Sequence, residues 1–446
     1  MGALERENSG KDSGGRPAIS YGLAAFFITA LIIGAWLRLS YPADMEYKGD
    51  EHFMFDRSQR IGVSEPWPEL GMTSGGGLKN PAFSIWIFAI LARVFGATTP
   101  LALDHAVVLL NVAAFAIFFG AMYWMTAPRD RETWLWAGSL AAVSPVAVLL
   151  HRKIWAQSTL PIFCVLFLCG WLKRGRYEGA ILWGLMGALL GQVHMSGFFF
   201  AFGFFAWEAA FGRTRTHGPK TKWLGWVGGS ILGSITLVPW IQYVLSGVDH
   251  GEHWTLDEVV SGRFLRTWFS DGLGLGLDYS LGVHYLDFLR WPLVGETKDF
   301  YPALYMQGAT FCAGTLALVL GILMMLRWLR TTADFRGAIR GSSEISHTLA
   351  AAFFGFGLAL TLSGVHIFRH YLLVTFPLEW ASFAWLAFKA TKRPRAILAV
   401  MWCAQLGLSA TFLYYIHENG GAPGADYGVA YSAQIEPGRP QNRLHR

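Results

Sequence analysis

Tyr41-Pro42-Ala43-Asp44-Met45-Glu46-Tyr47-Lys48-Gly49-Asp50-Glu51-His52-Phe53-Met54-Phe55-Asp56 is an acidic, polar run that follows directly on an apolar block, residues 20–39. It leads through a glycine-rich segment to Gly75-Gly76-Gly77-Leu78-Lys79-Asn80-Pro81. The block before it is long enough to cross roughly 30 Å of hydrocarbon. An Asp50-Glu51 pair beside a membrane surface is costly unless it binds something or moves a proton. An anchor followed at once by an acidic loop therefore predicts a membrane protein whose chemistry sits at the water boundary.

Composition agrees along the whole chain. Of 446 residues, 53% are hydrophobic and only 15% charged, against about 25% charged in soluble domains. Mean hydropathy is +0.35. The net charge of +6 resides in short basic clusters between apolar blocks, which is a topology signal and argues against a nucleic-acid partner. Cys164, Cys169, Cys312 and Cys403 all fall inside apolar blocks, without metal-ligand or disulfide spacing.

Apolar segments are expected near 20–39, 81–97, 101–126, 133–150, 154–172, 179–194, 197–212, 222–246, 302–329, 346–363, 369–389 and 395–416. Basic connectors separate many of them: Arg129 and Arg131; Lys173, Arg174 and Arg176; Arg213, Arg215, Lys220 and Lys222; Arg327, Arg330, Arg336 and Arg340; Lys389, Lys392, Arg393 and Arg395. With Arg6, Lys11 and Arg16 they hold 20 of the 36 Lys and Arg residues, so the positive-inside rule puts them in the cytoplasm. Parity then leaves 81–97, which is short, Pro-led and carries Arg93, as a helix lying in the outer interface. The expectation is an all-α polytopic bundle of about 11 transmembrane helices with extracytoplasmic loops. A lesser count makes 81–97 a span and fuses 179–212.

Residues 1–19 are expected to be a disordered cytoplasmic tail and 20–416 the membrane module. Within that module, 40–100 is the first outer loop and 247–301 an outer cap loop. Residues 417–446 form an outer tail, ordered where it touches the cap.

Sugar transfer from a phosphate leaving group needs a base for the acceptor's proton, and sometimes a metal to balance the phosphate. A carboxylate at the membrane boundary serves either purpose. Asp50, Glu51 and His52 are therefore candidate ligands for Mn, Mg or Zn, with His151, His366 and His370 also on the expected outer side. His151-Arg152-Lys153 and Arg369 break the positive-inside bias, which favours a phosphate-binding role for Arg152, Lys153 and Arg369. His194 reads as a packing residue. Gly272-Leu-Gly274-Leu-Gly276 imitates a nucleotide loop but lacks the flanking strand and helix. Trp67, Trp254, Trp268 and Trp291 are candidates to stack on sugar rings.

Asp50-Glu51 in the first outer loop, then Lys79-Asn80-Pro81 opening an amphipathic helix that ends Arg93-Val-Phe-Gly, resembles the GT-C superfamily of glycosyltransferases. The likeness is to the branch of the protein O-mannosyltransferases and the lipid A aminoarabinose transferase. Ser144-Pro145 with His151-Arg152-Lys153, and Arg369-His370-Tyr371 before a late span, extend it over most of 20–390. The resemblance implies transfer of a sugar from a polyprenyl-phosphate donor to a lipid, glycan or protein acceptor. That reaction would run on the periplasmic face of a bacterial inner membrane. It implies Asp50 as catalytic base with Glu51 beside it, and Lys79, Arg152, Lys153, Arg369, His370 and Tyr371 around the donor phosphate. This chain departs from relatives that carry His-Pro-Pro or Lys-Pro where it has Lys-Asn-Pro, and His370 intervenes before Tyr371.

A transporter or flippase of an amphipathic anion is the alternative. Transporters tend to carry repeated halves and midplane sites, whereas here no half is duplicated and the charged candidates gather at one face.

Overall fold

The computed structural model describes residues 19–74, 77–216, 218–247, 255–291, 301–331 and 342–435. The expected tail up to residue 18, Trp254, Arg336, Arg340, the stretches 248–254 and 292–300 of the cap loop, and the final residues from 436 lie outside them.

The chain is a multi-pass helical membrane protein. Among the described residues, six helices are long and apolar enough to cross a membrane: Tyr21–Leu39, Pro100–Met125, Trp223–Leu245, Pro302–Leu323, Glu344–Leu362 and Pro394–Asn419. Arg369–Thr375 and Leu378–Ala390, bent by 67°, make a seventh if they form one span. By length and composition the expected count of 11 is not reached. The shortfall lies between 128 and 212, where the apolar runs are long but the helices within them are not. Pro128–Val143 stops ahead of Pro145, which lacks an N–H and disfavours helix in the preceding residue, and restarts as Pro145–Leu150. Leu160–Leu172 has 13 residues, Tyr177–Val193 has 17 and Ser196–Phe211 has 16. The break at His194 and Met195 shows that 179–212 is not one helix.

The loop after the first helix has a core of its own. Met45, Tyr47, Met54, Ile61, Ile85, Phe88, Leu103 and Ile154 are buried together, so the helix Gly49–Arg60 is packed on Phe83–Phe95 rather than hanging free. Phe83–Phe95 has 13 residues, about 20 Å at 1.5 Å per residue, too short to cross. A small hairpin, Leu70–Thr73 against Lys79–Pro81, leads into it.

At the other terminus, Pro394–Asn419 ends at Gly420, whose φ of 65° turns the chain back sharply. A two-stranded hairpin and the helix Tyr431–Ile435 follow. This segment reaches the cap loop, where Tyr427 N–H donates to Ser280 O at 2.9 Å. It is also strapped across the first loop. Tyr431 N–H donates to Met45 O at 3.0 Å, Gln434 Nε2 to Tyr47 O at 2.7 Å, and Ser432 Oγ to Asp44.

Candidate active site

Gly49–Arg60 begins with a capping box: the Glu51 carboxylate accepts the Lys48 N–H at 3.1 Å, which fixes the helix start. Asp50 is thereby placed in the first turn. Successive helix positions are about 100° apart, so neighbouring side chains face different ways. Glu51 turns inward and is fully buried. His52 is exposed, its ring 4.0 Å from that of Tyr47. Asp50 faces a cavity of about 160 Å³, where its Oδ2 accepts the Trp155 indole N–H at 3.1 Å.

Around Asp50 lies a network of paired charges. Lys153 Nζ is buried, 2.9 Å from Glu46 and 3.0 Å from Glu51, and sits 4.4 Å over the Trp155 ring. Burial opposes the Lys153 ammonium, yet the two carboxylates hold its pKa above the ordinary lysine range. Lys48 Nζ lies 2.7 Å from Glu46 and 3.3 Å from Asp426, brought in by the C-terminal strap. Glu46, Lys153 and Glu51 thus satisfy one another and form the frame that holds Asp50.

Arg369 and His370 reach the same cavity from the bent helix pair. His370 packs edge-on against Trp155 at 5.1 Å and stacks on Phe368 at 5.6 Å. Arg369 Nη1 donates to Gly276 O, and Nε lies 3.4 Å from Asp271 Oδ1. Its Nη2 is buried and has no hydrogen-bond partner. A buried guanidinium left partly unsatisfied is costly.

The other expected site residues lie elsewhere. Arg152 donates to Ser40 O and, at 2.8 Å, to Tyr41 O, tying the end of the first helix to the Ser144-Pro145 break. His151 accepts from Arg38 Nε at 3.3 Å, and Arg38 in turn donates to Ala142 O at 2.6 Å. Lys79 is exposed on the hairpin, where its carbonyl accepts from Trp240 Nε1 at 2.7 Å. Tyr371 packs against His194, ring centroids 5.1 Å apart. None of Lys79, Arg152 and Tyr371 lines the Asp50 cavity.

Asp50, Glu51 and His52 do not converge. No group of three or more His, Cys, Asp or Glu among the described residues is placed to hold an ion. Asp50, Glu51 and His52 diverge because they are consecutive on a helix.

Glu46, Trp155, Tyr279 and Asp426 were not anticipated as site residues. Glu46 lies four residues before Asp50 and Trp155 two after Lys153, so both were within reach. Tyr279 and Asp426 arrive from distant loops and leave no local sign. The glycine run discounted as a nucleotide loop proves to matter for another reason: Gly276 is where Arg369 rests. A second cavity of about 300 Å³ adjoins the first, with Arg369 and Tyr279 in both walls.

No family model and no curated protein matches the chain. Among solved structures it is similar to ArnT from Cupriavidus metallidurans bound to undecaprenyl phosphate, at 12% identity and a TM-score of 0.47, covering 85% of this chain and 62% of that one. The apo form of that ArnT matches at 14% identity and a TM-score of 0.41, covering 87% of this chain and 77% of that one. The apo oligosaccharyltransferase of Archaeoglobus fulgidus matches at 14% identity and 0.41, covering 95% and 57%. At this level of identity the likeness is one of fold alone.

Proposed function

We propose that this protein is a membrane glycosyltransferase of the GT-C type. It moves a sugar from a polyprenyl-phosphate donor to an acceptor at the periplasmic face of a bacterial inner membrane. The observation that carries the reading is the meeting of Asp50 and Arg369, far apart in sequence, in one cavity, with Arg369 Nη2 buried and unpaired.

In this reading the acceptor hydroxyl or amine gives its proton to Asp50, and its lone pair attacks the anomeric carbon. The bond from that carbon to the phosphate oxygen breaks with inversion, and the electron pair leaves on the lipid phosphate. Trp155 holds one Asp50 oxygen and leaves the other to take the proton. Arg369 meets the charge that develops on the leaving phosphate, the kind of preorganised electrostatic support that carries much of an enzyme's rate. His370 walls the same space. Glu46, Glu51 and Lys153 fix the acidic helix without touching substrate, and Arg152 fixes the first helix. Lys79 lies outside the immediate cavity and is assigned to lipid at the hairpin.

Transport of an amphipathic anion would require a path to the opposite end of the bundle. There Arg174, Glu208 and Glu344 are packed and ion-paired instead. The deciding experiment incubates purified protein with a panel of polyprenyl-phosphate sugars and reads release of free polyprenyl phosphate. Release with one sugar, lost in Asp50→Asn and in Arg369→Gln, is the expected result. Equal turnover by those variants rejects the assignment.

A further inference from the structure

The 300 Å³ cavity on the far side of Arg369 is not used by that chemistry. One wall is the helix Arg263–Gly272, and it turns its whole polar stripe inward. Arg263, Arg266, Thr267 and Ser270 recur at the spacing that shares a helix face. Phe264 and Trp268 bury the opposite face. Arg263 is pinned: its Nε is 3.0 Å from Glu258, and Nη1 is 3.2 Å from His366 Nε2. Arg266 is exposed and makes no hydrogen bond or ion pair among the described residues. Arg369 forms the wall shared with the first cavity, its Nη2 turned to the donor phosphate in the transferase reading.

Two acids share the cavity. Asp271 is committed to Arg369 at 3.4 Å, and Asp278 is exposed at the mouth. Arg263 and Arg266 with the two hydroxyls make a donor set suited to phosphate, which planar guanidinium groups bind through paired N–H donors. Tyr279, Ile367 and Phe368 give the cavity apolar walls beside its charges.

We propose that this cavity binds a second phosphate group, carried by an amphiphile, next to the site of transfer. That the group belongs to a co-substrate rests on the transferase reading. Binding itself does not, so the two can fail separately. The phosphate can come from an acidic lipid headgroup or from a free phosphate ester, and the test separates these sources.

Detergent-solubilised protein is titrated with phosphatidic acid against phosphatidylcholine, bound lipid being counted by native mass spectrometry. In parallel, equilibrium dialysis measures binding of radiolabelled inorganic phosphate. Phosphatidic acid should bind at one site, and Arg266→Gln and Arg263→Gln should each weaken it about tenfold, the loss of one charge-assisted contact. Asp50→Asn should leave it unchanged. Phosphatidic acid bound more than tenfold tighter than inorganic phosphate assigns a lipid source; comparable affinities assign a bare phosphate group. Arg266 is exposed, so its replacement does not threaten folding. A change under twofold in Arg266→Gln overturns the proposal. If no sugar is transferred yet binding depends on Arg266, the phosphate site stands and the transferase falls.

Discussion

The two ends of the helix Leu160–Leu172 carry buried charge in two different ways. Beyond its C-terminus, Arg174 meets Glu208 at 3.0 Å and Glu344 at 2.6 Å, Arg215 meets Glu344 at 2.9 Å, and His347 meets Glu208 at 2.8 Å. Thr221 closes the last angle of Glu208 at 2.5 Å. Each carboxylate has two cationic or imidazole partners, and Trp171 stacks on His347 to seal the cluster. Before its N-terminus the balance is incomplete by design of the loops. Glu46, Lys153 and Glu51 close on one another, but Asp50 has no cationic partner among the described residues and holds a single indole N–H; a buried guanidinium nitrogen without a hydrogen-bond partner occurs at both ends, on Arg369 here and on Arg174 there. At one end every carboxylate is matched by cations; at the other Asp50 is not.

The widest difference should come from Asp50→Asn. Loss of a general base costs roughly a hundredfold to ten-thousandfold in rate. Release of polyprenyl phosphate should fall by that much, while the unfolding temperature and lipid binding stay as in the unaltered protein. Retained turnover would mean that the open end is not the catalytic one.

Glu208→Gln attacks the closed end. Removing one partner from a buried ion pair typically costs about 3–5 kcal/mol, because Arg174 and His347 lose their counter-charge. Thermal unfolding in detergent should shift sharply downward, with turnover per folded molecule unaltered. A variant that lost activity without losing stability would erase the distinction between the two ends.

Gly276→Ala sharpens the role of Arg369. A Cβ there would sit 2.9 Å from Arg369 Cζ and 3.0 Å from Nη2, so the guanidinium tip must move. Donor KM should rise about tenfold, the equivalent of one charge-assisted hydrogen bond, while folding is kept. Steady-state kinetics against donor concentration would test it.

The smallest expected effect is one of pH. Burial raises the Asp271 carboxyl to about 6; Arg369 opposes the rise and Asp278 adds to it. Below that pH Asp271 is neutral and leaves Arg369 to the phosphate. As pH rises through it, Asp271 ionises and competes. Donor KM should therefore climb a few-fold from pH 5 to 7, and Asp271→Asn should flatten the profile. The sign for stability follows: the folded state holds this proton more tightly, so stability falls as pH rises from about 4 to 6.

Much of the chain was legible because hydrocarbon imposes a simple rule: backbone groups must bond within a segment, so long apolar runs become helices. That rule located the helices, the acidic loop and the late Arg369-His370. It did not report where Pro145 or the His194 break interrupts a helix, so its count of 11 spans is not confirmed by helix length. It also misjudged His151-Arg152-Lys153. Charges against the positive-inside bias do need a reason, but here the reason is internal: Arg152 on two carbonyls, Lys153 between two carboxylates.

By itself, then, the sequence determined the all-helical membrane class, the position of Asp50 just past the first helix, and the presence of arginines needing partners. Only the tertiary structure decided which charges spend themselves on each other and which remain open. Pairing depends on contacts among residues 46, 51, 153, 276, 369 and 426, whose approach is set by packing of distant helices and by the C-terminal strap. No local periodicity encodes that convergence.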